Sequence, residues 1–134
     1  DFLYTIYEKC AGPLRELREF TSEKEKLAQK LVTMLEGSFT EDLHMERIQE
    51  QMHVSKSYLA KVFKEVTGVT IFDYVYRRRI NEARALFLMN PALTVTEVCF
   101  RLGFKHVAHF SRMFKRLTGM TPEAYKHQSL QSRA

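Results

Sequence analysis

Apolar residues recur at helical spacing along most of the chain, and no stretch alternates apolar and polar residues as a half-buried strand does. Ser22 and Glu25 have the spacing of a capping box, so they predict the start of a helix that Gly37 ends. Further helices are predicted near 43–52, from the N-cap Ser55 to Gly68, from Thr70 to about Met89, from Thr94 to about Leu102, from Val107 to Gly119, and after Thr121-Pro122. The pattern therefore predicts an all-α fold.

Residues 1–21 form a less regular lead segment. Phe2 and Ile6 lie four residues apart, and Gly12-Pro13 interrupts this helical spacing. Two interpretations remain open for the segment: it is a helix from an upstream domain, or it is a fraying tail.

The chain repeats part of its own pattern after about 50 residues. The matching pairs are Phe63-Lys64 and Phe114-Lys115, Thr67-Gly68 and Thr118-Gly119, Thr70 and Thr121, and Tyr74 and Tyr125. Each copy consists of a short helix, a tight turn and a second helix of about three turns. This is the helix-turn-helix pattern, so the sequence predicts two such units joined by the long helix near 70–89.

The second helix of each copy has an apolar stripe and an opposite face of polar and basic residues. The stripes comprise Leu59, Val62, Phe63 and Val66 in the first copy and Phe110, Met113, Phe114 and Leu117 in the second. The opposite faces comprise Lys56, Ser57, Lys61 and Lys64, and His106, Ala108, Ser111, Arg112 and Lys115. An apolar stripe alone indicates a core, but repeated basic faces favour DNA. If the long helix, about 30 Å in length, holds them about 34 Å apart, they enter successive major grooves.

Net charge differs between the two parts of the chain. Residues 1–42 carry a net charge of −3, and residues 43–134 carry one of +8. A basic C-terminal module suits a polyanionic partner, although many basic helices are simply solvated. Charge therefore supports nucleic-acid binding only together with the repeat.

Other classes of function lack the residues that they need. Cys10 and Cys99 are too isolated for a zinc finger or a disulfide framework, and no neighbouring cysteine or carboxylate completes a metal site with His106 and His109. No nucleophile motif, phosphate loop, membrane-length apolar run or signal peptide is visible. The sequence therefore predicts no enzyme activity, cofactor, metal or membrane association, and its cysteine usage favours the cytoplasm.

Several segments closely resemble the signature of AraC/XylS-type transcription regulators. In the second copy they are Gly103-Phe104, Phe110–Arg116 and Gly119–Tyr125. In the first copy and the long helix they are Ser55–Leu59, Phe63-Lys64, Thr67-Gly68, and Tyr74 followed by Arg77, Arg79, Ile80 and Ala83. The resemblance covers roughly residues 24–127, with both units and the spacer in the same order.

The resemblance implies a seven-helix domain that activates, and sometimes represses, bacterial promoters. The expected double helix-turn-helix domain spans residues 22–129. Its parts are a first unit at about 22–69, a linker helix at about 70–89 and a second unit at about 94–127, with a tail at 130–134.

The resemblance also implies which residues contact DNA. By position, the expected base contacts are Ser57, Ala60, Lys61, His106, Val107, Ala108, Ser111 and Arg112. Lys61 and Arg112 are expected to donate to guanine, with a phosphate contact as the alternative for Arg112. Val107 is either a thymine-methyl contact or part of the core. From their charge and their places at helix starts, the expected phosphate contacts, which set register without reading sequence, are Ser55, Lys56, Lys64, Thr70, Arg77, Lys115, Arg116 and Thr121. For Arg77, in the run 77–79, a solvated face is the alternative.

The chain departs from the family pattern in the first helix of each unit. Gln49 and Cys99 stand where the family usually has alanine, so we expect the first unit to pack less tightly and Cys99 to be buried.

In the run 77–79, at least one arginine is expected to pair with Asp73 or Glu82 at helical spacing.

The partner that the pattern favours is double-stranded DNA, and the resemblance adds RNA polymerase. Two alternatives stay open: a non-specific nucleic-acid binder with the same fold, and a helical protein-interaction module. A second copy of the chain is a further candidate partner. It would pair through Phe2, Leu3, Ile6 and Tyr7, although the exposed end of a divided domain has the same composition.

Overall fold

The computed structural model describes residues 22–132. Within this range it contains seven helices and no strand, so the all-α prediction is confirmed. The helices are α1 (Glu23–Glu36), α2 (Met45–Met52), α3 (Lys56–Thr67), α4 (Ile71–Met89), α5 (Val95–Arg101), α6 (Val107–Thr118) and α7 (Pro122–Ser132). The last helix therefore extends into the predicted tail. The predictions for 1–21, including pairing through Phe2, Leu3, Ile6 and Tyr7, lie outside the described residues.

Capping side chains fix where several helices begin. Ser22 Oγ accepts a hydrogen bond from the backbone N–H of Glu25 at 3.2 Å, and Ser55 Oγ caps α3 in the same way at 3.2 Å. Thr94 and Glu97 form a complete capping box, with N–O distances of 3.1 and 3.2 Å. The hydrogen bonds from Thr94 also lower the pKa of the Glu97 carboxyl. The sequence signals for these three helix starts are confirmed.

The repeated Thr-Gly pairs form the same hydrogen-bonded turn at the end of α3 and at the end of α6. Thr67 Oγ1 donates to the carbonyl four residues earlier at 2.7 Å, and Thr118 Oγ1 does the same at 2.7 Å. The next residue has a left-handed backbone, with φ of 84° at Gly68 and 89° at Gly119. Glycine adopts this conformation without the steric cost that a Cβ brings, which explains why the Thr-Gly pair recurs.

The described chain divides into two compact units. The first comprises residues 22–38 and 43–75, and the second comprises residues 39–42 and 76–132, so α4 contributes to both. In the first unit α1 and α2 pack against α3, and in the second α5 and α7 pack against α6. The core of the second unit comprises Ile80, Ala83, Phe87, Leu93, Val98, Cys99, Leu102, Phe104, Phe110 and Phe114. Each unit thus has its own core, which lies beneath α3 in the first unit and beneath α6 in the second.

The two departures from the family pattern have different consequences. Cys99 has 0% exposure, as expected, and burial raises the pKa of its thiol. Gln49 is half-buried, and its Oε1 accepts the backbone N–H of Lys56 at 2.8 Å. This hydrogen bond ties α2 to the first residue of α3. Leu59 and Val62 of α3 are each 1% exposed, so the core beneath α3 is closed to solvent, and the looser packing expected in the first unit stays a prediction.

Arg79 is a buried cation with main-chain partners, a role that the sequence did not reveal. Its Nε donates to the carbonyl of Phe39 at 2.6 Å and its Nη2 to that of Glu41 at 2.8 Å. Its Nη1 donates to the carbonyl of Gly103 at 3.3 Å. Desolvation lowers the pKa of this guanidinium. These bonds fasten the segment 39–42 to α4 and to the turn that precedes α6.

Candidate nucleic-acid interface

In the first unit, α3 has one buried and one exposed face. Its apolar stripe is buried except for Val66, which is half-buried, and Phe63 has 0% exposure. Its opposite face is exposed and holds all three base contacts expected in this unit, Ser57, Ala60 and Lys61. Within the described chain the Lys61 ammonium forms no ion pair, so its donors are available to a ligand.

The start of α3 is held in place by α2. Besides the contact of Gln49 with the backbone of Lys56, the Lys56 ammonium lies 3.1 Å from a carboxylate oxygen of Glu46. The Glu46 backbone N–H and Lys56 both lower the pKa of this carboxyl. The paired side chains are 54% and 70% exposed, and exposed ion pairs are weak. The Lys56 ammonium is therefore paired with Glu46 within the protein, and a phosphate oxygen could replace this weak partner.

In the second unit, α6 is divided in the same way. Phe110 and Phe114 have 0% exposure. Of the base contacts expected here, the exposed ones are His106, Ala108 and Arg112, and the half-buried ones are Val107 and Ser111. Val107 packs against the core cluster. Packing is thus the better supported of the two interpretations of Val107, while Arg112 faces solvent.

An aromatic cluster supports the start of α6 from inside the second unit. The His109 ring lies edge-on to Tyr76 at 5.4 Å and to Phe104 at 5.5 Å. The Phe104 ring also contacts that of Phe110 at 5.1 Å. His109 is therefore a packing residue. Among residues 22–132, no group of three His, Cys, Asp or Glu side chains could hold a metal ion.

The expected phosphate contacts fall into two groups. Three are N-cap residues whose hydroxyls each accept the backbone N–H three residues later, namely Ser55, Thr70 and Thr121. The others are basic: Lys56, Lys64, Lys115 and Arg116 are exposed, and Arg77 is half-buried. The Arg116 guanidinium lies 3.2 Å from the sulfur of Met113. Most of the expected cations are thus accessible, and Arg77 is the least so.

Two of the three arginines in the run 77–79, Arg78 and Arg79, make contacts within the protein. The Arg78 guanidinium forms an ion pair with Glu82 at 3.0 Å, one helical turn away. It also lies 4.1 Å from the ring centroid of Phe39. Arg79 is buried, as described above. The prediction that a member of the run pairs with Asp73 or Glu82 is confirmed.

Comparison with known proteins assigns this geometry to a family. A family model described as a helix-turn-helix domain matches residues 48–128. A solved transcriptional regulator from Chromobacterium violaceum, described as an AraC-type DNA-binding domain-containing protein, has the same fold with a TM-score of 0.70. At 25% identity, that match covers 78% of this chain and 93% of the other. The chain belongs to the AraC-type family of helix-turn-helix transcription regulators.

This AraC-type domain also resembles a named transcriptional activator and a regulator domain that was solved with DNA. It is 38% identical over 108 residues to the HTH-type transcriptional activator RhaR of Enterobacter sp. (strain 638), covering 81% of this chain and 38% of RhaR. It matches the DNA-binding domain of AdpA, a global transcriptional factor solved in complex with a target DNA, with a TM-score of 0.69. That match has 25% identity and covers 80% of this chain and 95% of the other.

The AraC-type domain spans well under half the length of the curated relative RhaR. The family consists of DNA-binding transcription regulators and not of enzymes, so the non-enzyme prediction is confirmed. None of the helices that the structure describes is long and apolar enough to cross a bilayer.

Proposed function

We propose that this domain binds a bipartite promoter site in double-stranded DNA, with α3 and α6 in successive major grooves, and so regulates transcription. The duplicated second helix carries the proposal, because in each unit its apolar stripe is buried or half-buried and its polar, basic face is mostly exposed. The AdpA domain, which is similar, was solved with a target DNA. The proposed DNA-binding domain spans 22–129, with units at 22–69 and 94–127.

Within each helix, bases and phosphates are assigned to different side chains. Lys61 of α3 and Arg112 of α6 are exposed cations near the middle of their helices and donate to guanine O6 and N7. Lys64 and Lys115 lie in the last turns and bind phosphate oxygens. Base contacts give sequence preference, whereas phosphate contacts give affinity that falls with added salt.

Arg112 and Lys115 provide a matched test, because both are exposed cations on α6. Arg112→Ala is expected to weaken binding to the preferred site about tenfold or more and to remove the preference at one base pair, because a bidentate guanine contact is lost. Lys115→Ala is expected to weaken preferred and random duplexes alike and to reduce the salt slope by about 1. Fluorescence anisotropy titrations at several salt concentrations measure both effects.

Each variant serves as the control for the other, since both remove one positive charge from the same helix. If both variants lost equal affinity for preferred and random duplexes, the division into base and phosphate contacts would be wrong. If wild type showed no preference among duplexes, the domain would be a non-specific binder.

RNA polymerase and a second copy of the chain are the protein partners that we propose. RNA polymerase is the proposed protein partner, since RhaR is named as a transcriptional activator. A second copy of the chain, joined through residues 1–21, is the proposed partner in a dimer. The proposed location is the bacterial cytoplasm, where promoter DNA is accessible.

A further inference from the structure

A recess of about 400 Å³ opens beside α3 in the first unit. Much of its wall is apolar and comes from three helices: Met45 of α2, Ala60 of α3, and Ile71 and Phe72 of α4. Phe72 is 52% exposed, whereas the adjacent Ile71 is 3% exposed. Phe72 lines the recess and leaves about half of its surface exposed, so its ring is accessible to a molecule that enters the recess.

The remaining residues of the recess are polar and belong to the proposed DNA-binding face. They are Lys56, Ser57 and Thr70. Ser57, like Ala60, is a proposed base contact, whereas Lys56 and Thr70 are proposed phosphate contacts. The recess therefore combines an apolar wall with the helix start at Thr70 and with the Lys56 ammonium, whose exposed ion pair with Glu46 an anion would have to displace.

A nucleotide of a DNA strand matches this combination of apolar wall and cationic edge. In the major groove the 5-methyl group of thymine is the apolar feature of the base edges, and it lies beside the backbone of its own strand. A strand whose phosphate lies near Lys56 and Thr70 would thus direct a thymine methyl toward Ala60 and Phe72.

We propose that this recess binds the 5-methyl group of a thymine in the first half of the DNA site and that Phe72 is a specificity-determining residue. The inference rests on the proposed function and deepens it, because it assigns a base preference to a residue of α4 that lies outside both helix-turn-helix second helices. Apolar contact with the thymine methyl is an established source of discrimination in the major groove.

Replacement of single thymines by deoxyuridine tests the proposal, because it removes only the methyl group. In the preferred duplex, one such replacement in the first half of the site is expected to weaken wild-type binding about fourfold, the effect of burying about one methyl group. Phe72→Ala is expected to bind the thymine and deoxyuridine duplexes equally, and Phe72→Leu is expected to retain most of the difference.

Phe100→Ala is the matched control, because Phe100 is 53% exposed on α5 of the second unit. This variant is expected to keep the full deoxyuridine effect. Circular dichroism melting verifies that each variant is folded. As a second measurement on wild type alone, 5-methylcytosine is expected to bind more tightly than cytosine at the same position, because it restores the methyl group.

Two results overturn the proposal: wild type tolerates every deoxyuridine replacement, or the penalty persists unchanged in Phe72→Ala. Failure of the proposed function is a different result. A wild-type protein that binds all duplexes alike contradicts sequence-specific binding itself. A protein that selects a site but ignores every thymine methyl contradicts the role of the recess alone.

Discussion

Gly103→Ala is expected to lower the free energy of unfolding by about 3 kcal/mol, because it combines backbone strain with an overpacked contact. Gly103 has a φ of +90°, which a residue with a side chain rarely adopts. A Cβ at this position would lie 2.3 Å from the carbonyl oxygen of Thr40 and 3.2 Å from Cζ of Arg79. Urea unfolding followed by far-UV circular dichroism measures the loss.

Gly119→Ala is the matched control for this effect. Gly119 has nearly the same φ, +89°, but a Cβ there would meet no atom within 4 Å. Strain alone should therefore cost about 1 kcal/mol. If Gly103→Ala and Gly119→Ala had equal effects, the close packing of segment 39–42 against the turn before α6 would be wrong.

Arg79→Met is expected to lower the free energy of unfolding by about 3 kcal/mol and to reduce protection of the segment 39–42 in hydrogen exchange. The guanidinium satisfies the carbonyl oxygens of Phe39, Glu41 and Gly103. A buried acceptor that loses its partner costs about 1 to 3 kcal/mol, and water that enters the site offsets part of the total. Urea unfolding and exchange followed by mass spectrometry give the two readouts.

Arg84→Met removes an exposed arginine from the same helix. Its expected effect is about 1 kcal/mol or less, because the exposed guanidinium loses only a weak contact with the Tyr125 ring, 5.9 Å away. Exchange in 39–42 should be unaffected. Equal destabilisation by Arg79→Met and Arg84→Met would show that the three carbonyl contacts of Arg79 contribute little.

The helices and their faces could be predicted because the signals are local. A cap depends on residues three positions apart, as at Ser22 and Thr94. An apolar stripe depends on residues within one or two turns, so the exposed faces of α3 and α6 followed directly from their sequences. The Thr-Gly repeat likewise encodes its own turn at Thr67 and Thr118.

Contacts between distant segments could not be predicted in this way. The carbonyl partners of Arg79 lie 24 to 40 residues away in sequence, and its neighbours Arg77 and Arg78 have the same charge, so spacing alone did not distinguish the buried arginine. The same reason applies to the recess at Phe72, which three helices form together. Gln49 was identified as a departure, but its hydrogen bond to Lys56 depends on how α2 meets α3.

Selection of bound duplexes from a random pool with the full chain tests two-groove recognition most directly. The predicted result is an enriched site of about 20 base pairs with two conserved blocks whose centres lie one helical turn, about 10 base pairs, apart. Enrichment of a single block, or recovery of a pool with no common sequence, would contradict the proposal that α3 and α6 read adjacent major grooves.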